Sequence, residues 1–221
     1  MTRGQAGAEP ARKRASQARS LMTKQALITA TIECLWERGY AGATIAEISR
    51  KADVTHGAHL HHFGTREELI AAAVDALFQR MIGEFELRFS KLPSDIAART
   101  EAALDHFRDL AIGQLFGVVG ELLNAARTNE SMAAQMRGYG ASQRMQQRQM
   151  YIKIFGAAAV EDPQVFYWLD TTFAVYLRGL SVLQATRTPK EIEEQWQRWK
   201  QFVLPQITAR LTLIGADMPS G

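Results

Sequence analysis

Cysteine is almost absent from this chain: Cys34 is the only one in 221 residues. That excludes an internal disulfide framework and a multi-cysteine zinc site, and it suits a reducing compartment. Long apolar runs are missing too, since stretches such as Leu115 to Leu123 are short and broken by glycine and Glu121. No apolar core follows the basic, polar N-terminus as a secretory signal would require. Nor is there an alternating strand pattern of useful length, a hairpin turn signal or an internal repeat. Catalytic signatures are lacking as well, with no nucleophile elbow and no phosphate-cradling glycine loop. Glu101, Asp105 and Asp109 recur every four residues as a solvated helix face does. These absences leave a soluble, cytoplasmic, non-enzymatic, all-α protein without a cofactor or a membrane partner, and with about nine helices.

What is present begins with charge. Residues 1–24 carry six basic side chains against Glu9 alone, a net +5, so the body must be slightly acidic to reach the overall +3. A basic end suggests a polyanion partner, although a merely solvated tail has the same composition. Residues 1–18 lack large apolar side chains and are expected to be a disordered arm.

From Arg19 a helix is expected to run to about Arg38, with Leu27, Thr31, Cys34 and Leu35 inward and Gly39 as a left-handed stop. Then comes TIAEISRKADVTHGAHLHHF, Thr44 to Phe63. Thr44 with Glu47 reads as a capping box. Ile45, Ile48 and Ala52 share a face, with Ser49, Arg50 and Lys51 toward solvent. Ala52-Asp53-Val54 breaks the chain, and Thr55 caps a second short helix. Two short helices at this spacing fit a helix-turn-helix, although plain helical hairpins share the pattern. Thr65 with Glu68 starts a longer helix carrying Leu69, Ala73, Leu77, Met81 and Phe85. Further helices are expected from Asp95 to Gln114, near Leu115 to Arg127, and from Ser131 to Phe155. Pro163 to Ala185 and Pro189 to about Gly215 complete the set, and Pro205 should kink or end the last helix.

From Leu27 to Ala73 the residues resemble a TetR-family DNA-binding domain. The pieces that carry the likeness are ALITATIECLWERGY, ATIAEISRKADVTHGAHLHHF and TREEL. The resemblance implies a homodimeric regulator, usually a repressor, that leaves a double-stranded DNA operator when a small-molecule inducer binds. It divides the chain into a DNA-binding domain over 19–65 and a ligand-binding and dimerisation domain over 66–221.

It also implies site residues. Thr44 and Thr55 lie at helix N-termini suited to phosphate. His56 stands where similar proteins read a base, and Gly57 and Ala58 let the backbone approach the groove floor. His61 and His62 occupy phosphate-contacting positions, and Arg66 matches a phosphate-binding lysine. Leu60 replaces the usual tyrosine. His59 replaces an apolar core residue, and it either packs or reads a base.

His56, His59 and His62 recur every three residues, so a metal-responsive regulator is a competing reading, but a closed site needs more ligands than are in view. A helical adaptor without DNA binding is another. If the histidines meet phosphates, operator affinity should strengthen as pH falls from about 8 to 6. In the second domain the candidate lining of a mostly apolar pocket is Phe85, Phe89, His106, Phe107, Phe116, Asn124, Arg127, Met136, Tyr139, Phe173 and Tyr176. Ordinary core packing explains any one of them equally well. The last two helices, with Phe166, Leu169 and Tyr176 on one and Trp196, Trp199 and Phe202 on the other, suggest a paired interface across a two-fold axis.

Overall fold

The protein is described by a computed structural model covering residues 8–55, 57 and 61–216, without the side chains of residues 8–13 and 139–143. No strand occurs among the described residues. The helices are α1 (Ala8–Gly42), α2 (Ile45–Lys51), α3 (Arg66–Phe89), α4 (Ile96–Ala111) and α5 (Gln114–Ala126). They continue as α6 (Glu130–Phe155), α7 (Ala157–Glu161), α8 (Pro163–Tyr167), a π-helical turn (Trp168–Phe173), α9 (Ala174–Leu183) and α10 (Pro189–Leu213). The chain divides into two compact units, 1–79 and 80–221. The boundary therefore falls inside α3 and not at 65/66, because Leu69, Ile70, Ala73, Val74 and Leu77 are buried in the first unit.

The first correction concerns the N-terminus. α1 begins at Ala8, so residues 8–18 are helical and not a disordered arm. Alanine, arginine, lysine and glutamine dominate the stretch and all favour helix, while Pro10 falls in the first turn, where proline is tolerated. At the other end Gly39 interrupts the helix with φ 66 and ψ −179, a conformation open to glycine, and one further turn follows to Gly42. Leu27, Thr31, Cys34 and Leu35 are fully buried as expected.

The second unit is a helical bundle around one aromatic core. Asp95 caps α4 by accepting from Ala98 N at 2.8 Å, and Asn129 caps α6 by accepting from Met132 N at 3.0 Å. The stretch from Pro163 is not one helix. After α8 the backbone widens into the π turn, which buries Leu169 and Phe173 and stacks Trp168 on Phe173 at 5.2 Å. Pro205 does not end α10, which runs on to Leu213. Burial of Ile207 and Leu211 holds the far segment, as does the 2.5 Å contact of Arg210 with Asp162. Asp162 also caps α8, accepting from Val165 N at 2.9 Å. The Arg210 guanidinium, then these backbone amides, hold its carboxyl below the usual carboxylate range.

Two buried cations set the packing of this unit. Lys200 reaches Asp105 at 2.9 Å and Glu101 at 3.0 Å, and Trp196 Nε1 donates to the same Asp105 at 2.7 Å. Burial opposes the ammonium charge, but the two carboxylates outweigh it and keep the pKa above the usual lysine range. Glu101 and Asp105 are thus partners of α10 and not a bare solvated face. Arg99, only 3% exposed, donates to Ile154 O at 2.7 Å, Lys153 O at 3.1 Å and Pro93 O at 3.1 Å. Two of these are carbonyls at the end of α6, which have no helical partner.

Replacing Arg99 by Met should cost on the order of 3 kcal/mol, because several carbonyls lose a charged donor at once. The urea midpoint should fall with an unchanged slope, and Arg99→Lys should recover only part of the loss, since one ammonium cannot span the same fork.

Candidate functional site

The helix-turn-helix stretch is fixed locally by its caps. Thr44 lies in extended backbone (φ −78, ψ 155) and accepts from Glu47 N at 3.3 Å. The capping box is only half formed. Thr44 N donates to Gly42 O at 2.8 Å, while the Glu47 carboxylate turns to Arg50 at 2.6 Å and Arg38 at 3.0 Å. The hydrogen bond from Arg50 is the main reason the Glu47 pKa lies below its usual value. A charged guanidinium offers the carboxylate more than a single backbone amide does.

α2 then ends as expected. Ala52 caps it, and Asp53 takes φ 53, a left-handed position that aspartate tolerates better than most side chains. Asp53 N donates to Arg50 O at 3.3 Å and Val54 N to Ser49 O at 3.1 Å, closing the turn. Ile48 is fully buried beneath it. Ser49, expected toward solvent, is 5% exposed instead. Lys51 is held by Glu37 at 2.7 Å and Glu33 at 3.4 Å on α1.

Beyond the turn, His56, Ala58, His59 and Leu60 lie outside the described residues. Gly57 is exposed, and among the described residues a Cβ there would meet only Thr55 Oγ1 at 3.9 Å, which suits close approach of the backbone. Thr44, Thr55 and His61 are exposed and His62 is half-buried. The His61 and His62 rings lie edge to face, 5.1 Å apart. Lys24 of α1 sits 5.7 Å from the ring centre of Phe63, which is buried. Partial burial first, then His61 and Lys24, push the His62 pKa below its usual 6.5. Lys24, His61 and His62 thus lie close together where the second helix of the motif ends.

Arg66 differs from its expected role. Its Nε donates to Ala43 O at 2.9 Å, an Nη donates to Tyr40 O, and the guanidinium lies 4.3 Å from the Tyr40 ring centre. The Tyr40 and Ala43 carbonyls, just beyond the break at Gly39, take these donors. Thr65 does cap α3, accepting from Glu68 N at 3.1 Å, while Glu68 reaches back to Gly64 N at 2.8 Å.

Comparison with known proteins settles the family. Residues 27–73 match the model for bacterial regulatory proteins of the tetR family. Over 206 residues the chain is 30% identical to an uncharacterized HTH-type transcriptional regulator of Mycobacterium tuberculosis, spanning 90% of this chain and 97% of that protein. The chain belongs to the TetR family. An HTH-type transcriptional repressor of the same organism is 37% identical over 114 residues, 46% of this chain and 57% of that one. A crystal structure of a TetR-family regulator from Rhodococcus shares the fold at a TM-score of 0.61, with 16% identity, covering 82% of this chain and 98% of that one. This TetR-family chain is a DNA-binding transcriptional regulator, and the family is not an enzymatic one. No helix among the described residues is long and apolar enough to cross a membrane.

The second unit brings together only part of the expected ligand set. Phe85, Phe89 and Phe107 pack within 5.1 to 5.5 Å of one another, His106 stands edge-on to Phe89 at 5.6 Å, and Phe173 meets Phe107 at 5.5 Å. Tyr176 joins through Trp199, stacked at 4.2 Å. Phe116 packs against the same core. Asn124 and Arg127 are exposed and do not join it. Met136 is half-buried outside the aromatic cluster. Tyr139 lies outside the described side chains. Phe107 and Phe173 are almost wholly buried, so they are core residues first.

Sequence reasoning missed a separate cleft of about 150 Å³ lined by Arg80, Glu84, Arg88, Asp109, Gly113 and Gln114 among others. Its signal was the turn at Gly113, where α4 gives way to α5. Among the described residues no group of three or more histidine, cysteine or carboxylate side chains could hold a metal ion.

His62 generates a pH prediction. Its folded pKa lies below the ordinary 6.5, so the unfolded chain takes up the proton first and stability falls as pH drops below about 6.5. His62→Gln should flatten that fall in denaturant midpoints measured from about pH 7.5 to 5.5. An unchanged profile would remove His62 as its source.

Proposed function

We propose that this chain is a homodimeric repressor that holds a palindromic operator and releases it when a small, mostly apolar ligand binds. The supporting observation is a helix-turn-helix closed by the Thr44 cap and the Asp53 turn, on a chain alike over nearly its whole length to a helix-turn-helix regulator. The named repressor among its relatives favours repression.

Dimerisation is supported by apolar side chains left open on the last helices. Tyr167, Val175, Val182 and Phe202 are between 59% and 72% exposed. Val175 and Val182 stand seven apart with Gly179 between them, one face of α9. A second copy related by a two-fold axis would cover them, because an isologous contact pairs like with like. The two reading heads would then lie about one DNA turn apart.

For the ligand, Phe89, His106 and Phe116 form the half-buried margin of the aromatic core, where an apolar molecule with one polar group would find both kinds of contact. A DNA phosphate beside His62 would favour its charged form. Operator binding should then take up protons and strengthen mainly below about pH 6.5, and less between 8 and 6 than an unperturbed histidine would imply.

Selection of bound duplexes from random DNA should return a palindrome, and sequences without two-fold symmetry would sink the dimeric reading head. Sedimentation should show a dimer that Val182→Asp converts to a helical monomer at micromolar concentration. A wild-type monomer at operator-binding concentrations would defeat the proposal.

A further inference from the structure

The helix-turn-helix of this protein carries no net charge. Between residues 25 and 66 there are four basic side chains, Arg38, Arg50, Lys51 and Arg66, against four acids, Glu33, Glu37, Glu47 and Asp53. Each of the four cations already has a partner inside the protein. Arg38 and Arg50 meet Glu47, Lys51 meets Glu37 and Glu33, and Arg66 is bound to the Tyr40 and Ala43 carbonyls. Yet affinity for duplex DNA rests largely on cations that displace counterions from phosphates. Residues 1–24 hold the surplus, six basic residues against one acid.

The structure gives that surplus a shape and a position. α1 begins at Ala8, ahead of the family match at residue 27, and runs unbroken to the break at Gly39. Arg14 and Arg19 are exposed on it. The helix joins the reading head at Lys24, which lies by Phe63 and is close enough to His62 to lower its pKa. At about 1.5 Å per residue, Arg19 lies roughly 8 Å and Arg14 roughly 15 Å along the axis from that junction. Successive phosphates of one strand advance about 3.4 Å along the duplex, so this span covers several of them.

We propose that the helical extension from Ala8 to Lys24 is a second DNA-binding element, a phosphate clamp beside the recognition helix that supplies the electrostatic attraction the neutral helix-turn-helix lacks. It rests on the DNA-binding reading of this family and adds to it a surface outside the family match. The clamp acts on all sequences alike and sets the salt dependence of binding, while the recognition helix sets specificity.

The test measures dissociation constants for a selected operator and a scrambled duplex over a range of salt, using the full chain and Arg14→Gln/Arg19→Gln. Both positions are exposed, so circular dichroism should be unchanged. The variant should bind both duplexes roughly tenfold or more weakly, with the specificity ratio kept. The slope of log K against log salt should shrink by about 0.9 for each lost phosphate contact. Arg14→Lys/Arg19→Lys should restore the slope. An unchanged slope in the Gln variant, or a loss confined to the operator, overturns the clamp while leaving the regulator standing. A wild-type chain that binds no duplex overturns both.

Discussion

A helix that stops leaves carbonyl oxygens without partners, and in an all-helical chain meeting that demand constrains everything else. Arg66 answers it for the first unit. Its guanidinium binds the carbonyls of Tyr40 and Ala43, tying the start of α3 to the end of α1 across the short loop that launches α2. The reading motif lies in sequence between these two anchors, so its position follows from a hydrogen-bonded staple as much as from burial of Ile48. Arg99 does the same for the end of α6, binding Lys153 and Ile154 from α4. In both places a planar fork of donors meets several acceptors spread more widely than a compact ammonium spans.

This explains what could be read in the sequence and what could not. Caps at Thr44 and Thr65 were legible because a hydroxyl and the amide it accepts from lie three residues apart, and each forms. The turn at Asp53 was legible for the same reason. Glu47 and Arg66 were not, because their partners are set by folding: Arg38 and Arg50 outcompete a backbone amide, and the Tyr40 carbonyl is 26 residues from Arg66. Residues 8–18 are helical against expectation because composition alone cannot tell a solvated tail from a solvated helix. Once α1 is nucleated by its buried half, alanine and arginine simply extend it.

In the second unit, periodicity marked Phe85, Phe107 and Phe173 as inward but could not show whether they enclose space or fill it. Phe85, Phe107 and Phe173 are inward and packed ring against ring. The π turn from Trp168 to Phe173 has no sequence signature of its own. It is favoured by what it aligns, a row in which Trp199 stacks on Phe173 at 5.6 Å and on Tyr176 at 4.2 Å. Hydropathy also missed Lys200, which is buried as deeply as its apolar neighbours because Asp105 and Glu101 accompany it.

The same pairing of charges bears on how the first unit meets DNA. Exposed ion pairs such as Arg50 with Glu47 are weakly held, so a phosphate could draw the cation away cheaply. The exchange gains little, however, because Glu47 would keep only Arg38 as a partner near the polyanion, and its repulsion offsets what the arginine gains. Lys51, held by two glutamates on α1, faces the same balance twice over. In the proposed complex, recognition by the motif itself would therefore rest on shape, on backbone approach at Gly57 and on short-range polar contacts. Long-range attraction has to come from a part of the chain whose cations are not already matched by acids. In this sequence that condition is met before residue 25, where the helix is basic, exposed and anchored beside His62.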